Sequence, residues 1–259
     1  MSLVAGRTAG LWVIAAMIVT WAYATARFRK GDLKVKSLAA LDAIDEAIGR
    51  AAEMGKPIHY APGSKPLAGV GAADVAAGLS LLEFSANKAA TKGVRMICSI
   101  RYPEFLPIVN NMLRSAYHAA GRGELYSDTD SVRYLSTQQM AFASGAVELM
   151  HREKVAANLM LGPFTGDTLV IAEGGRQAGA MQIGGMSEID NIPFLIATCD
   201  YVLVGEELFV AAAAAEGNVQ QIAGVRSQDL MKLGVVAIIV AGIVLKMAGV
   251  ADLSKILRI

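Results

Sequence analysis

Small and basic residues recur where the predicted strands of this chain end, and that pattern is typical of anion binding. Backbone N–H groups at glycine-rich turns and helix N-termini can hold a phosphate or carboxylate, and a lysine or arginine adds positive charge. We therefore expect a crevice for an anionic, nucleotide-like small molecule. Its predicted lining residues are Lys65, Gly69, Gly71, Arg101, Thr165, Gly184 and Gly185. Tight turns between strands and helices also need glycine, so a purely structural role is the alternative.

The glycine pattern does not identify a cofactor. Gly69 and Gly71 precede a predicted helix, but Asp74 occupies the third glycine position of G-x-G-x-x-G. The loop before them is also longer than that fingerprint allows, and the phosphate-binding pattern G-x-x-x-x-G-K-[ST] is absent from the sequence. The cofactor is therefore left unknown.

The sequence contains no recognisable catalytic set. His59, His118 and His151 lack the spacing of metal ligands, and each is expected to be an ordinary core or surface histidine. Ser64 and Ser99 have no evident base partner, which a nucleophilic serine requires. These absences favour a non-enzymatic role and leave enzymatic activity open.

Strands alternate with helices from Ser37 to Glu216. This alternation predicts an α/β fold: a mostly parallel, Rossmann-like sheet of about six strands. The segment Asp167–Ala178 is ambiguous because TLVIA could be a strand, but a helix gives a regular crossover between parallel strands. Cys98 and Cys199 lie in apolar surroundings without disulfide or metal spacing, which predicts buried free thiols.

Apolar segments without charge lie near both ends of the chain. Residues 8–26 approach the ~20 residues that cross a bilayer as a helix, and residues 233–245 form a shorter segment. We predict a transmembrane helix for each. The alternative for the first is a secretory signal, because Ala22-Tyr23-Ala24 resembles a cleavage site. The alternative for the second is an interfacial or re-entrant helix.

Charge gives the predicted orientation and domain plan. One basic residue, Arg7, precedes the first segment, and five follow it: Arg27, Arg29, Lys30, Lys34 and Lys36. The positive-inside rule therefore places the central domain in the cytoplasm, at the plasma membrane. The predicted domains are an N-terminal anchor (1–30), a cytoplasmic α/β domain (31–226) and a C-terminal transmembrane helix with its tail (227–259). The net charge of +1 gives no basic surface for nucleic acid, which we do not expect as a partner.

Five phrases carry a resemblance: GKPIHYAPG, VAAGLSLLEF, HREKVAANLMLG, GAMQIGG and CDYVLVGEELF. Together they resemble a family of uncharacterised prokaryotic membrane proteins, a domain of unknown function with terminal hydrophobic helices. The resemblance runs from about Ala40 to the second apolar segment. It implies a helix over Asp167–Ala178 and supplies no activity and no functional residue.

These observations lead to two expectations of function. The first is a membrane-anchored structural or assembly subunit of a homo-oligomer or larger membrane complex, with the lipid bilayer and further copies or other membrane subunits as partners. Small residues that permit close helix packing favour it, as at Ala76-Ala77-Gly78 and Ala211–Ala215. The alternative is a sensor or enzyme that binds an anionic small molecule at the glycine-rich strand ends.

Overall fold

The computed structural model describes residues 39–69 and 71–217, together with positions 14, 17–23, 224, 227–228, 231–237, 239–240 and 243. The chain divides into two compact units. One is formed by Met1–Lys34 and Gly217–Ile259, and the other by Val35–Glu216. The helices and strands below belong to the second unit.

Helices and strands alternate along this unit, as the sequence predicts. The helices are α1 (Ala39–Met54), α2 (Ala72–Lys92), α3 (Phe105–Ala119), α4 (Gln139–Glu153), α5 (Thr168–Gln177), α6 (Ile192–Thr198) and α7 (Glu207–Glu216), with a 3-10 turn at Gly123–Leu125. The strands are β1 (Ile58–Ala61), β2 (Met96–Ile100), β3 (Val132–Tyr134), β4 (Ala157–Leu161), β5 (Met181–Met186) and β6 (Tyr201–Val204). The ambiguous segment Asp167–Ala178 is helical, as α5.

The six strands form one sheet in the order β3-β2-β1-β4-β5-β6, and every neighbouring pair is parallel. The prediction of a parallel α/β sheet of about six strands is confirmed. Strand order reverses between β1 and β4, where chain connections leave in opposite directions. In open α/β sheets the crevice at such a switch point, outside the carboxyl ends of the strands, is the usual ligand site.

Helices cover both faces of the sheet. One face packs on α1, α2, α3 and α7 through side chains such as Ile44, Leu81 and Leu113. The other packs on α4, α5 and α6 through side chains such as Phe142 and Ile171. Because both faces are covered, β1, β2 and β4 are buried at every position, and strands of this kind are apolar along their length.

A row of polar side chains crosses the second face inside this apolar sheet. His59 on β1 lies between Asn158 on β4 (Nδ1 to Oδ1, 2.7 Å) and Ser99 on β2 (Nε2 to Oγ, 2.8 Å). Asn158 in turn donates to Gln182 on β5 at 2.7 Å. All four side chains are buried, and burial lowers the pKa of His59 to about 4. His59 is therefore a neutral core histidine that joins neighbouring strands.

Part of each predicted anchor lies outside the described residues: 11 of the 19 residues in 8–26 and five of the 13 in 233–245. Within the part of the chain that the structure describes, no helix is both long enough and apolar enough to cross a membrane.

The stability of the domain is expected to fall as the pH drops from 6.5 towards 4. In that range His59 binds a proton in the unfolded chain, where its pKa is near 6.5, but not in the folded one. This difference in proton binding lowers the free energy of unfolding by about 2 kcal/mol between pH 7.5 and pH 5. Urea unfolding at several pH values measures it. His59→Gln, neutral throughout, should lose this part of the slope; an unchanged slope in the variant would contradict the assignment.

Candidate functional site

Two loops meet backbone to backbone at the switch point. Ser64, in the loop after β1, donates its N–H to the carbonyl oxygen of Pro163 after β4 at 2.7 Å. A Cβ on Gly63 would lie 2.6 Å from Pro163 Cδ, and one on Gly162 would lie 2.3 Å from Pro62 O. Both glycines also have positive φ. This contact therefore requires glycine on each loop, and we call residues 62–64 and 162–163 the crossed loops.

The first turns of α2 pack directly on the crossed loops. A Cβ on Gly78 would lie 2.4 Å from Leu161 O, so the helix backbone touches the end of β4. A Cβ on Gly71, the residue before α2, would lie 3.3 Å from Lys65 Cδ and 3.6 Å from Pro163 Cβ. The N-terminus of α2, the positive end of its dipole, is thus held beside the loop that carries Lys65.

Both predicted cations at this edge are held by partners within the chain. Lys65 forms a partly buried ion pair with Glu188, from the loop after β5. Arg101 donates to Ser64 O (Nη1, 2.8 Å) and to Thr137 O (Nε, 3.1 Å), so it ties the loops after β1 and β3 to the end of β2. An incoming anion would have to compete with these acceptors.

Asp167 is a fully buried carboxylate at the start of α5. Its Oδ1 accepts hydrogen bonds from Ser64 Oγ, Thr165 N and Thr165 Oγ1, each at 3.0 Å, and from Gln139 Nε2 at 3.3 Å. Its Oδ2 is buried and has no hydrogen-bond partner among the described residues. Buried polar atoms are nearly always paired, so an unpaired carboxylate oxygen marks a position where a ligand, ion or water fits.

Asp74 is a second buried acid near the crossed loops. It lies in the first turn of α2, is 5% exposed, and its Oδ1 lacks a hydrogen-bond partner within the same described part of the chain. The N-terminal position on the helix offers a partial compensation, because the helix dipole stabilises negative charge there. Asp167 likewise lies at the N-terminus of a helix, α5, and differs in accepting hydrogen bonds from the Ser64 and Thr165 hydroxyls.

The structure gathers part of the predicted set. Lys65, Gly71, Arg101 and Thr165 surround the crossed loops, and Gly69 lies in the same loop as Lys65 with open space beside its Cα. The expectation that Gly184 and Gly185 lie at a strand end is wrong.

Gly184 and Gly185 lie inside β5, which continues to Met186. A Cβ on Gly184 would meet Leu195 Cδ2 at 2.8 Å, and one on Gly185 would meet Leu161 Cδ2 at 2.9 Å. They serve close packing of neighbouring side chains, and no crevice opens at either position.

Three residues of the site were not predicted: Gln139, Asp167 and Glu188. For Asp167 the sequence offers one signal, since this acid lies directly before a predicted helix, in the loop after a buried strand. For Ser64 the sequence raises only a nucleophilic role, and in the structure this serine is a hydrogen-bond donor to Asp167.

The two cysteine thiols lie in surroundings that disfavour the reactive thiolate form. Burial raises the pKa of the Cys98 thiol well above its ordinary value and that of Cys199 to about 11. Both thiols are free, Cys98 buried and Cys199 partly so. Among the described residues, no group of three or more His, Cys, Asp or Glu side chains is arranged to hold a metal ion.

A groove of about 780 Å³ lies at the opposite edge of the sheet, where β4, β5 and β6 begin. Its arginines are paired with acids of their own helices, Arg50 with Glu46 and Arg176 with Glu173. The switch point is the stronger candidate because it contains the unpaired oxygen of Asp167.

The strand order and the loops at its reversal define the larger unit as a parallel, doubly wound α/β domain. The chain belongs to the family described as a domain of unknown function (DUF6754), which matches residues 5–257. The predicted resemblance to an uncharacterised family is confirmed to that extent. No curated protein and no solved structure matches the chain.

Two helical glycines offer a matched test of the packing at this site. Gly78→Ala is expected to lower the free energy of unfolding by about 2 kcal/mol or more, because its Cβ collides with backbone. Gly49→Ala on α1, whose Cβ would meet only Lys92 Nζ at 3.5 Å, should raise it by up to about 1 kcal/mol. Urea unfolding of both variants gives the comparison. Equal effects would show that α2 does not press on β4.

Proposed function

We propose that this protein is a membrane-anchored subunit that assembles with further copies of itself or with other membrane subunits. One observation supports the proposal: apolar side chains are exposed along the described parts of both terminal segments. They are Ile14, Met17, Ile18, Val19, Trp21 and Tyr23 in the first, and Leu233, Val235, Val236, Ile239, Val240 and Ile243 in the second, each about half exposed or more.

Exposure on this scale favours an apolar partner. Single apolar side chains are common on protein surfaces, but a continuous series of them marks a membrane or protein contact. The residues between positions 231 and 240 that the structure describes are helical, and all but Met231 and Lys232 are Gly, Ala, Val, Leu or Ile. A lipid bilayer or neighbouring apolar helices would cover them.

The basic residues after the first segment favour a cytoplasmic domain, with both chain ends on the other side of the plasma membrane. Single cysteines introduced at Ser2 and Ile259 should then react with an impermeant maleimide in whole cells, whereas one at Asp128 should react only after lysis. The parent chain, with its two buried or partly buried thiols, is the control. Protection of the Ile259 site alone would make the second segment interfacial or re-entrant. Protection of both end sites would contradict the orientation.

Small residues in the second segment favour helix association. In a bilayer, helices associate by packing, and small side chains let their backbones approach closely. Ala237→Leu together with Ala241→Leu is expected to reduce the assembly mass in mild detergent. Ile239→Leu with Ile243→Leu adds leucines to the same segment without enlarging a small residue, so its mass should not change. A monomeric parent chain in several detergents and in nanodiscs would refute the assembly.

Binding of an anionic small molecule remains a second candidate function. Lys65, Arg101 and the N-terminus of α2 lie at one edge of the sheet, and the Lys65–Glu188 pair is partly exposed, so an anion could replace Glu188. Native mass spectrometry of the same preparations distinguishes the two functions, since a retained ligand adds a fixed mass per chain.

A further inference from the structure

We propose that Asp167 binds a hard divalent cation such as Mg²⁺ at the switch point of the sheet. The proposal concerns the buried Asp167 carboxylate alone, and does not depend on membrane anchoring or assembly.

The surroundings of Asp167 select the chemistry of the ligand. Four hydrogen bonds to Oδ1 stabilise the negative carboxylate and hold it in place. Oδ2 is left without a donor in the described structure. Two cations at this edge of the sheet are engaged elsewhere, Lys65 with Glu188 and Arg101 with carbonyl oxygens. A buried negative charge of this kind calls for a positive ligand.

The burial of the carboxylate and the types of atoms around it narrow the class of ligand further. Asp167 is 0% exposed, so only a small group fits against Oδ2 without rearrangement of the loops. Two hydroxyls lie beside the carboxylate, those of Ser64 and Thr165, and both donate their proton to Oδ1. Thr165 Oγ1 also accepts from Gln139 Nε2 at 2.7 Å, so Ser64 Oγ is the hydroxyl oxygen whose lone pairs have no donor among the described residues. Carboxylate and hydroxyl oxygens suit Mg²⁺, Ca²⁺ or Mn²⁺ rather than Zn²⁺ or copper.

A single carboxylate is compatible with magnesium. Mg²⁺ is often bound through only one or two carboxylates and retains several waters, so a cluster of three acidic or histidine ligands is unnecessary. Thr165 is partly exposed and Gly166 is exposed. Solvent therefore lies within one or two residues of Asp167 along the chain.

Manganese is the probe for the test, because its bound and free forms differ in electron paramagnetic resonance. The full chain, stripped of metal with EDTA in mild detergent, should bind one Mn²⁺ that Mg²⁺ displaces. Asp167→Asn should lose saturable binding, and Ser64→Ala should weaken it by about tenfold. Asp190→Asn removes an exposed acid at the same edge of the sheet and should bind as the parent does.

Thermal unfolding supplies a second readout that separates lost binding from a lost fold. Without metal, Asp167→Asn should keep a cooperative unfolding transition, because the amide oxygen can still accept the hydrogen bonds that Oδ1 accepts in the parent. Added MgCl₂ should raise the unfolding temperature of the parent and of Asp190→Asn but not that of Asp167→Asn. A parent chain that binds no Mn²⁺ at millimolar concentration, or an Asp167→Asn variant that binds like the parent, would overturn the proposal. Assembly mass is measured separately and is expected to be the same with and without metal.

Discussion

Two loop backbones touch at the centre of the sheet, and the arrangement of the domain depends on that contact. The hydrogen bond from Ser64 N to Pro163 O closes the gap between β1 and β4 where strand order reverses. Gly63 and Gly162 make the approach sterically feasible, and Gly78 lets α2 lie directly on the end of β4. Because all three contacts involve backbone atoms, a side chain at any of these positions would displace a loop or the helix rather than another side chain.

The row of polar side chains on the second face of the sheet constrains how neighbouring strands align. His59, Asn158 and Gln182 must lie side by side on neighbouring strands for their hydrogen bonds to form. A slip of one strand by one residue would point its polar side chain to the opposite face, among the apolar side chains of α1, α2 and α3, and would leave its partner on the next strand unpaired. An unpaired buried amide or imidazole costs about 1–3 kcal/mol. The row therefore favours one register in a sheet whose apolar residues alone would tolerate others.

The elements were predictable from the sequence because strands buried on both faces are continuously apolar and helices are periodic. The helix α2 begins and ends where Gly71 and Gly93 predict it, both with left-handed backbone. Glycine misled the interpretation in β5, where Gly184-Gly185 suggests a turn. In the folded domain Leu195 and Leu161 approach these two residues closely, which only contacts distant in sequence could reveal. The pairing of Ser64 with Asp167 is of the same kind: it joins two loops that the chain separates by three strands and their helices.

The crossed loops also limit what the switch point can accept. In doubly wound domains a nucleotide usually enters the crevice between the two central strands, but here Ser64 and Pro163 occupy that line of approach. A ligand larger than an ion would have to lie above the loops, against Lys65 and Arg101, and would compete with Glu188 and two backbone carbonyls for those cations. A small ion needs no such exchange, because the oxygen that would hold it is already unpaired and its neighbouring hydroxyls are already oriented towards the same carboxylate. The contact that closes the sheet to a large ligand is thus the contact that positions Ser64 beside Asp167.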